Sequence, residues 1–224
     1  MVSILLPSLR EELVKQRVKE WVTNNPNTDF EIIVVSPFKI VGEHVLWTED
    51  YPPFKGSVFA TNLALSRAKG DYIIYFSDDV APTKLCLKNM LEFMKDKPEP
   101  FLGAFKMFTP TGKEIGAFGA YKKLYACYGC LSRNTLLKLS NILFRPEFKY
   151  SWADIDLSLR VWELGGQVEI CPIAGVIPKQ VEDEVYRSHR TTFDQDFNTF
   201  ANKWHPKYSK DIPREIGAIN RRLK

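Results

Sequence analysis

The run Tyr72-Ile73-Ile74-Tyr75-Phe76, followed at once by Ser77-Asp78-Asp79 and then Val80-Ala81-Pro82, constrains this chain more than any other stretch. Five consecutive apolar, aromatic and β-branched residues fit a strand covered on both faces of a parallel sheet. The run stops at three polar residues, so two carboxylates stand together at the strand's carboxyl end, where open α/β sheets take their ligands. Adjacent like charges raise each other's pKa unless something positive neutralises them, and a hard divalent cation with oxygen ligands does that well. An ordinary acidic turn between a strand and the next helix would carry the same residues. The flanking sequence has to decide.

On the N-terminal side, Val2 to Leu6 reads as a strand broken by Pro7-Ser8-Leu9-Arg10. Glu11 to Val22 has helical spacing, and Glu31 to Val35 is a second apolar strand ended by Ser36-Pro37. His44 to Trp47 fits a short third strand. Ala60, Leu63, Ala64 and Ala68 mark one face of a helix between Gly56 and Lys69, with Gly70 placed for a left-handed C-terminal cap. Strand, helix, strand implies a parallel sheet. After the acidic pair, Thr83 is expected to cap a helix running to about Lys95, and the charged, proline-bearing segment from Asp96 to Pro100 marks a change of composition. Beyond it come a strand near Leu102 to Phe108, glycine turns, Tyr125 to Leu131, a short helix over Arg133 to Ser140, and a clear helix over Trp152 to Leu164 stopped by Gly165-Gly166. Val168 to Cys171 and Gly175 to Ile177 read as two extended segments, and Phe193 to Trp204 as a last amphipathic helix. The fold class expected is α/β: a mostly parallel, Rossmann-like central sheet flanked by helices, with a smaller mixed portion. It reads as one domain in two parts, 1–98 and 99–224.

With 224 residues, 45% hydrophobic and 13% aromatic, the chain can bury a substantial core and is neither disordered nor fibrous. No apolar run approaches the roughly 18 residues of a membrane-spanning helix, and Met1 to Leu6 passes straight into Pro7 and charged residues, so the expected location is cytoplasmic. Cys86, Cys127, Cys130 and Cys171 fit reduced thiols there, and the Cys127/Cys130 pair lacks nearby partners for a zinc knuckle. A net charge of +4 is too mild for a dedicated nucleic-acid binder. The positive residues gather only at the C-terminus, where Arg214, Arg221, Arg222 and Lys224 offer a peripheral contact to a membrane surface or an anionic substrate.

Three blocks in this order, SILLPS at Ser3 to Ser8, GSVFATNLALSRAKGDYIIYFSDDVAP at Gly56 to Pro82 and WADIDLSLRVWELGGQV at Trp152 to Val168, resemble the family-2-like glycosyltransferases of the GT-A fold. The resemblance implies transfer of a hexose from a nucleotide-diphosphate sugar, expected to be a UDP-sugar, to a glycan or other hydroxyl acceptor, with Mn²⁺ or Mg²⁺, and it makes 1–98 the nucleotide-binding half and 99–224 the acceptor-binding half. In that family the acidic motif grips the metal and the nucleotide diphosphate, and an acid opening the later helix deprotonates the acceptor in inverting members. By the resemblance Asp79 is the direct metal ligand, Asp78 reaches the ribose or shares the metal, and His189 completes the metal site. Ser77 stands where many relatives have the first acid of their motif. Pro7, Ser8 and Ser36 end the strands that would contact the nucleotide, with Ser36 in place of a usual Asp. Asn62 matches a family Asn, Thr61 occupies a usual Arg place, and Lys55 could supply that charge to a phosphate. Asp154 is the general base by the resemblance, although Ser151-Trp152-Ala153-Asp154 is also an S-x-x-D capping box. Trp152 and Asp156 are candidates for the acceptor. A retaining outcome stays open, as do a sugar-nucleotide binder without catalysis and a nucleotidyltransferase, though Pro7-Ser8-Leu9-Arg10 lacks the glycines of a triphosphate loop.

Overall fold

The computed structural model describes residues 1–179 and 181–208. The basic cluster Arg214, Arg221, Arg222 and Lys224 lies outside the described residues. The chain is built on an eight-stranded sheet that takes strands from both halves of the sequence. Its N-terminal part holds β1 (Val2–Pro7), β2 (Phe30–Ser36), β3 (Val45–Glu49) and β4 (Tyr72–Tyr75), all parallel, in the spatial order β3-β2-β1-β4. A short β5 (Val80–Pro82), β6 (Phe101–Met107) and the hairpin of β7 (Gly119–Ala120) with β8 (Lys123–Leu124) follow. The antiparallel β9 (Gly129–Ser132) lies between β4 and β6, and β10 (Gln167–Pro178) pairs parallel with β6 and antiparallel with β5. The full order is β3-β2-β1-β4-β9-β6-β10-β5, so β4 is central. That is what its uninterrupted apolar run requires.

Alternate residues of the strands feed two cores, as a period of two demands. Ile4, Leu6, Ile32, Val34, Ile74 and Phe76 pack on one face against α1 (Glu11–Asn24) and α3 (Cys86–Met94). Leu5, Ile33, Ile73 and Tyr75 pack on the other against α2 (Ser57–Arg67), α4 (Arg133–Lys138), α5 (Ala153–Glu163) and α7 (Phe193–Trp204). A further helix, α6 (Glu184–Arg190), buries no residue of its own. Among the described residues no helix is long and apolar enough to cross a membrane. All four cysteines are free thiols.

Local expectations are corrected at several points. Gly70 is not a left-handed cap; it is required because a Cβ there would lie 2.5 Å from the Ser3 backbone nitrogen, where α2 returns to the edge of β1. Thr83 does not cap α3, which begins after Leu85; its hydroxyl instead donates to the Gly175 carbonyl at 2.8 Å, fixing β5 against β10. The extended segments at 168–171 and 175–177 are one strand with a register shift between Cys171 and Gly175. The helix at 153 starts from Trp152 in the left-handed conformation, with no side-chain cap, so the Ser151–Asp154 capping box does not form. Short β5 and α6 were not expected at all, because neither offers a long enough periodic pattern.

Candidate functional site

The turn after β4 separates its two carboxylates. β4 runs beside β1, and the chain reverses through Ser77-Asp78-Asp79 into β5, with the Lys179 N–H donating to the Asp79 carbonyl at 2.7 Å. Asp78 turns back under the β1 end and is only 3% exposed. It accepts from the Ser8 hydroxyl at 2.5 Å and from Arg10 Nη1 at 2.8 Å. Burial pushes the Asp78 carboxyl above its ordinary value, and the Ser8 and Arg10 hydrogen bonds oppose that rise. Asp79 stays half-buried and accepts from the Ser77 hydroxyl. The first residue of the motif therefore orients the third. Beneath the turn, the fully buried guanidinium of Arg17, paired with Glu20, adds attraction for both acids.

Arg10 joins this turn to the far side of the site. While Nη1 holds Asp78, Nε and Nη2 grip Asp183 at 2.6 and 2.9 Å, and this pairing holds the Asp183 carboxyl well below the usual carboxylate range. Asp183 also caps α6, accepting from the Tyr186 N–H at 2.9 Å. Arg10 thus anchors the helix that carries His189. The His189 ring stacks on Tyr150 with centroids 4.1 Å apart, and burial, then the Arg10 charge, lower its pKa, so the imidazole is neutral at pH 7.

These groups line one cavity of about 430 Å³, whose walls include Pro7, Ser8, Arg10, Asp78, Asp79, His189 and Asp154. Asp154 sits in the first turn of α5. Its surroundings include Tyr75, Cys127 and Tyr128, whose own ionisation is suppressed by burial. Desolvation raises the Asp154 carboxyl to about 6, against a smaller opposing effect of backbone N–H groups at the helix start. An acid poised there is ionised at neutral pH and basic enough to take a proton.

Five residues expected at the site stand outside this wall. Ser36 is buried, donates to the Phe38 carbonyl and accepts from Trp47 Nε1 at 3.1 Å, which spends it on the β2–β3 edge. Lys55 is exposed with its ammonium 4.5 Å from the centre of the Phe59 ring. Asn62 clamps residue 144 at both ends, donating to its carbonyl at 2.7 Å and accepting from its N–H at 3.2 Å. Trp152 packs on Phe193, Phe197 and Phe200 at centroid distances of 5.5, 4.9 and 5.1 Å. Asp156 is corrected most sharply, being 0% exposed and bound to Arg145 at 3.2 Å, Arg160 at 2.9 Å and Trp204 Nε1 at 3.0 Å. Its carboxylate has no room for an acceptor. Conversely, sequence reasoning passed over Arg10, Asp50, Tyr150 and Asp183. A cation three residues past the end of a buried strand was the available signal for Arg10, but its partners lie 68 and 173 residues away.

The donor set suits a nucleotide-bound Mg²⁺ or Mn²⁺, which takes one or two carboxylates and completes its shell with phosphate oxygens and water. Asp79 is half-buried with no ion pair among the described residues, and His189 opens on the same cavity. No three His, Cys, Asp or Glu side chains gather into a ready cage among the described residues.

The profile of the Glycosyl transferase family 2 matches residues 54–122, which contain α2, β4 and the acidic turn. No curated protein matches the chain. Among solved structures, S. aureus TarS 1–349 in complex with UDP-GlcNAc superposes with a TM-score of 0.63 at 17% identity, over 84% of this chain and 60% of that one. GalNAc-T7 with UDP, GalNAc and Mn²⁺ gives 0.63 at 12% identity, over 80% of this chain and 44% of that one. TarS 1–349 without the sugar nucleotide gives 0.59 at 14% identity, over 92% and 73%. The chain therefore spans 60% and 44% of the first two proteins, and at these identities the likeness is one of fold.

Proposed function

We propose that this chain, a family-2-like glycosyltransferase of the GT-A fold, transfers a hexose from a nucleotide-diphosphate sugar to a hydroxyl acceptor by direct displacement. The observation that carries the proposal is the shared cavity, which brings Asp79 at the end of β4 together with Asp154, a half-buried acid with its pKa at about 6. In the reaction, the acceptor oxygen attacks the anomeric carbon and the bond from that carbon to the diphosphate oxygen breaks, its electron pair leaving with the diphosphate. Asp154 takes the acceptor proton as the new bond forms. In the cavity wall, Arg10 keeps one N–H on each of Nη1 and Nη2 beyond those bonded to Asp78 and Asp183, and these are available to the diphosphate. Asp79, with His189 beside it, would hold Mn²⁺ or Mg²⁺. Such an ion, when bound, neutralises charge on the departing diphosphate. UDP-sugars are the first donors to try, since UDP-GlcNAc and UDP occupy the two similar structures.

The test is transfer and donor binding measured side by side. Asp154→Asn is expected to bind the donor as the unchanged protein does and to lose transfer by about 10²- to 10⁴-fold. Asp79→Ala is expected to lose metal-dependent donor binding. Transfer by Asp154→Asn at the unchanged rate would remove the base from the proposal, and metal-independent donor binding equal in both proteins would remove Asp79.

A further inference from the structure

Arg17 is a buried cation that the fold leaves partly unpaired. It sits on α1 with its side chain 0% exposed, and its Nη1 donates to Glu20, three residues on. Nε and Nη2 are buried and have no hydrogen-bond partner among the described residues. A guanidinium keeps its proton inside a protein, so the two orphaned nitrogens cannot be relieved by a change of charge. Desolvation is the largest influence on the group. An apolar side chain of similar length would cost the fold less in this place. Packing alone therefore does not account for a cation here.

Its surroundings point to the acidic turn. One helical turn on, Trp21 packs edge to face on Phe76 with centroids 4.8 Å apart, and Phe76 leads directly into Ser77-Asp78-Asp79. Glu20 also pairs with Lys179 Nζ at 3.9 Å, and the Lys179 N–H is bonded to the Asp79 carbonyl at 2.7 Å. α1 thus underlies the turn, with two cations, Arg17 and Lys179, set against the one acid Glu20. Asp78 and Asp79 both act on Arg17 through their charge. Arg17 is not part of the cavity wall, so it touches neither donor nor acceptor and works only through these carboxylates.

We propose that Arg17 is a resident counter-charge that weakens the hold of the acidic turn on a lone divalent ion, so that the ion is held tightly only together with the donor diphosphate. A free Mn²⁺ is repelled by the guanidinium, whereas the complex of Mn²⁺ with a nucleoside diphosphate brings its own negative charge and is not. The inference rests on the metal reading of Asp79 above and adds to it the form in which the ion is taken up. A buried unit charge beside an ion site changes the affinity for a divalent ion by about tenfold or more, with little screening by salt.

The experiment is calorimetric titration of the full chain with MnCl₂ alone and with the preformed Mn²⁺–UDP complex, for the unchanged protein, Arg17→Met and Arg17→Lys, together with urea unfolding of each. Arg17→Met is expected to bind Mn²⁺ alone about tenfold more tightly than the unchanged protein, to bind the Mn²⁺–UDP complex no more tightly, and to unfold at no lower urea concentration. Arg17→Lys, which keeps the charge and changes the shape, is expected to bind Mn²⁺ alone as the unchanged protein does. A loss of packing would not tighten ion binding, so the direction of the change separates charge from structure. Arg17→Met binding Mn²⁺ alone no more tightly, Arg17→Lys binding it as tightly as Arg17→Met, or Arg17→Met unfolding at a clearly lower urea concentration would overturn the role of Arg17 and leave the metal reading standing. Failure of the unchanged protein to bind the Mn²⁺–UDP complex would overturn both.

Discussion

Replacing Arg10 by methionine keeps the length of the side chain and removes a cation that ties the acidic turn to α6. The Arg10 side chain is 12% exposed, Asp78 4% and Asp183 37%, so the loss is concentrated on Asp78. Removing one partner of a buried pair costs about 3–5 kcal/mol when the other charge has no escape. Asp78 does have one, because its pKa already stands above the ordinary value and it can take a proton. We therefore expect a loss near the lower bound, about 3 kcal/mol at pH 7, measured by urea unfolding. The Asp183 contact adds little, since a pair with one partner more than a third exposed is screened by water. The pH dependence follows from the sign of the shift. A carboxyl whose folded-state pKa lies above its unfolded one binds protons preferentially in the folded state. Its contribution is most favourable below the unfolded pKa and is lost as pH rises through the folded one. The deficit of Arg10→Met should thus shrink as the pH is lowered from 7 toward 5. The double variant Arg10→Met with Asp78→Asn should recover most of the loss, giving a coupling of at least about 1 kcal/mol. A deficit within about 0.5 kcal/mol, independent of pH, would refute the buried pairing.

Because Asp154 rests at about 6, kcat/KM should fall about tenfold per pH unit below pH 6 and level off above it, and Asp154→Asn should lack that limb. A limb in the unchanged protein near pH 4, the ordinary carboxylate value, would contradict the desolvated setting. Asp156→Ala should cost about 3–5 kcal/mol in urea unfolding by stranding Arg160 and Arg145, whereas its donor affinity, measured below the unfolding transition, should change little. Ile74→Ala, in the central strand at 0% exposure, should cost about 2–5 kcal/mol, and a cost below 1 kcal/mol would argue that β4 is not covered on both faces.

The central strand and its acidic end were legible in the sequence because both are local: a run of apolar residues, then a break. The same is true of β1, β2, α2 and α5, whose periodicities are strong. Asp154 was legible through the block around it, yet its competing role as a cap could be dismissed only once Trp152 was found in the left-handed conformation at the helix start. Asp156 was misread because Asp154 and Asp156 look alike in sequence. Only the packing of α7 and of Arg145 against α5 shows that one faces a cavity and the other a closed ionic cluster. Ser77, which stands where many relatives have the first acid of their motif, donates to the Asp79 carboxylate. Arg10 carried only its place just past a buried strand as a local signal, and Asp50 and Asp183 carried none, since their meaning comes from what the fold brings together across the sheet and across most of the chain.

The central claim is that one donor lies across the cavity with its diphosphate at Asp79 and its anomeric carbon toward Asp154. A crystal structure of the full chain with Mn²⁺ and a non-hydrolysable UDP-sugar tests this most directly. The account predicts manganese density bonded to an Asp79 oxygen and to the diphosphate, with the Asp154 carboxylate facing the side of the anomeric carbon opposite the leaving oxygen. Manganese held elsewhere, or a sugar ring turned away from Asp154, would contradict it.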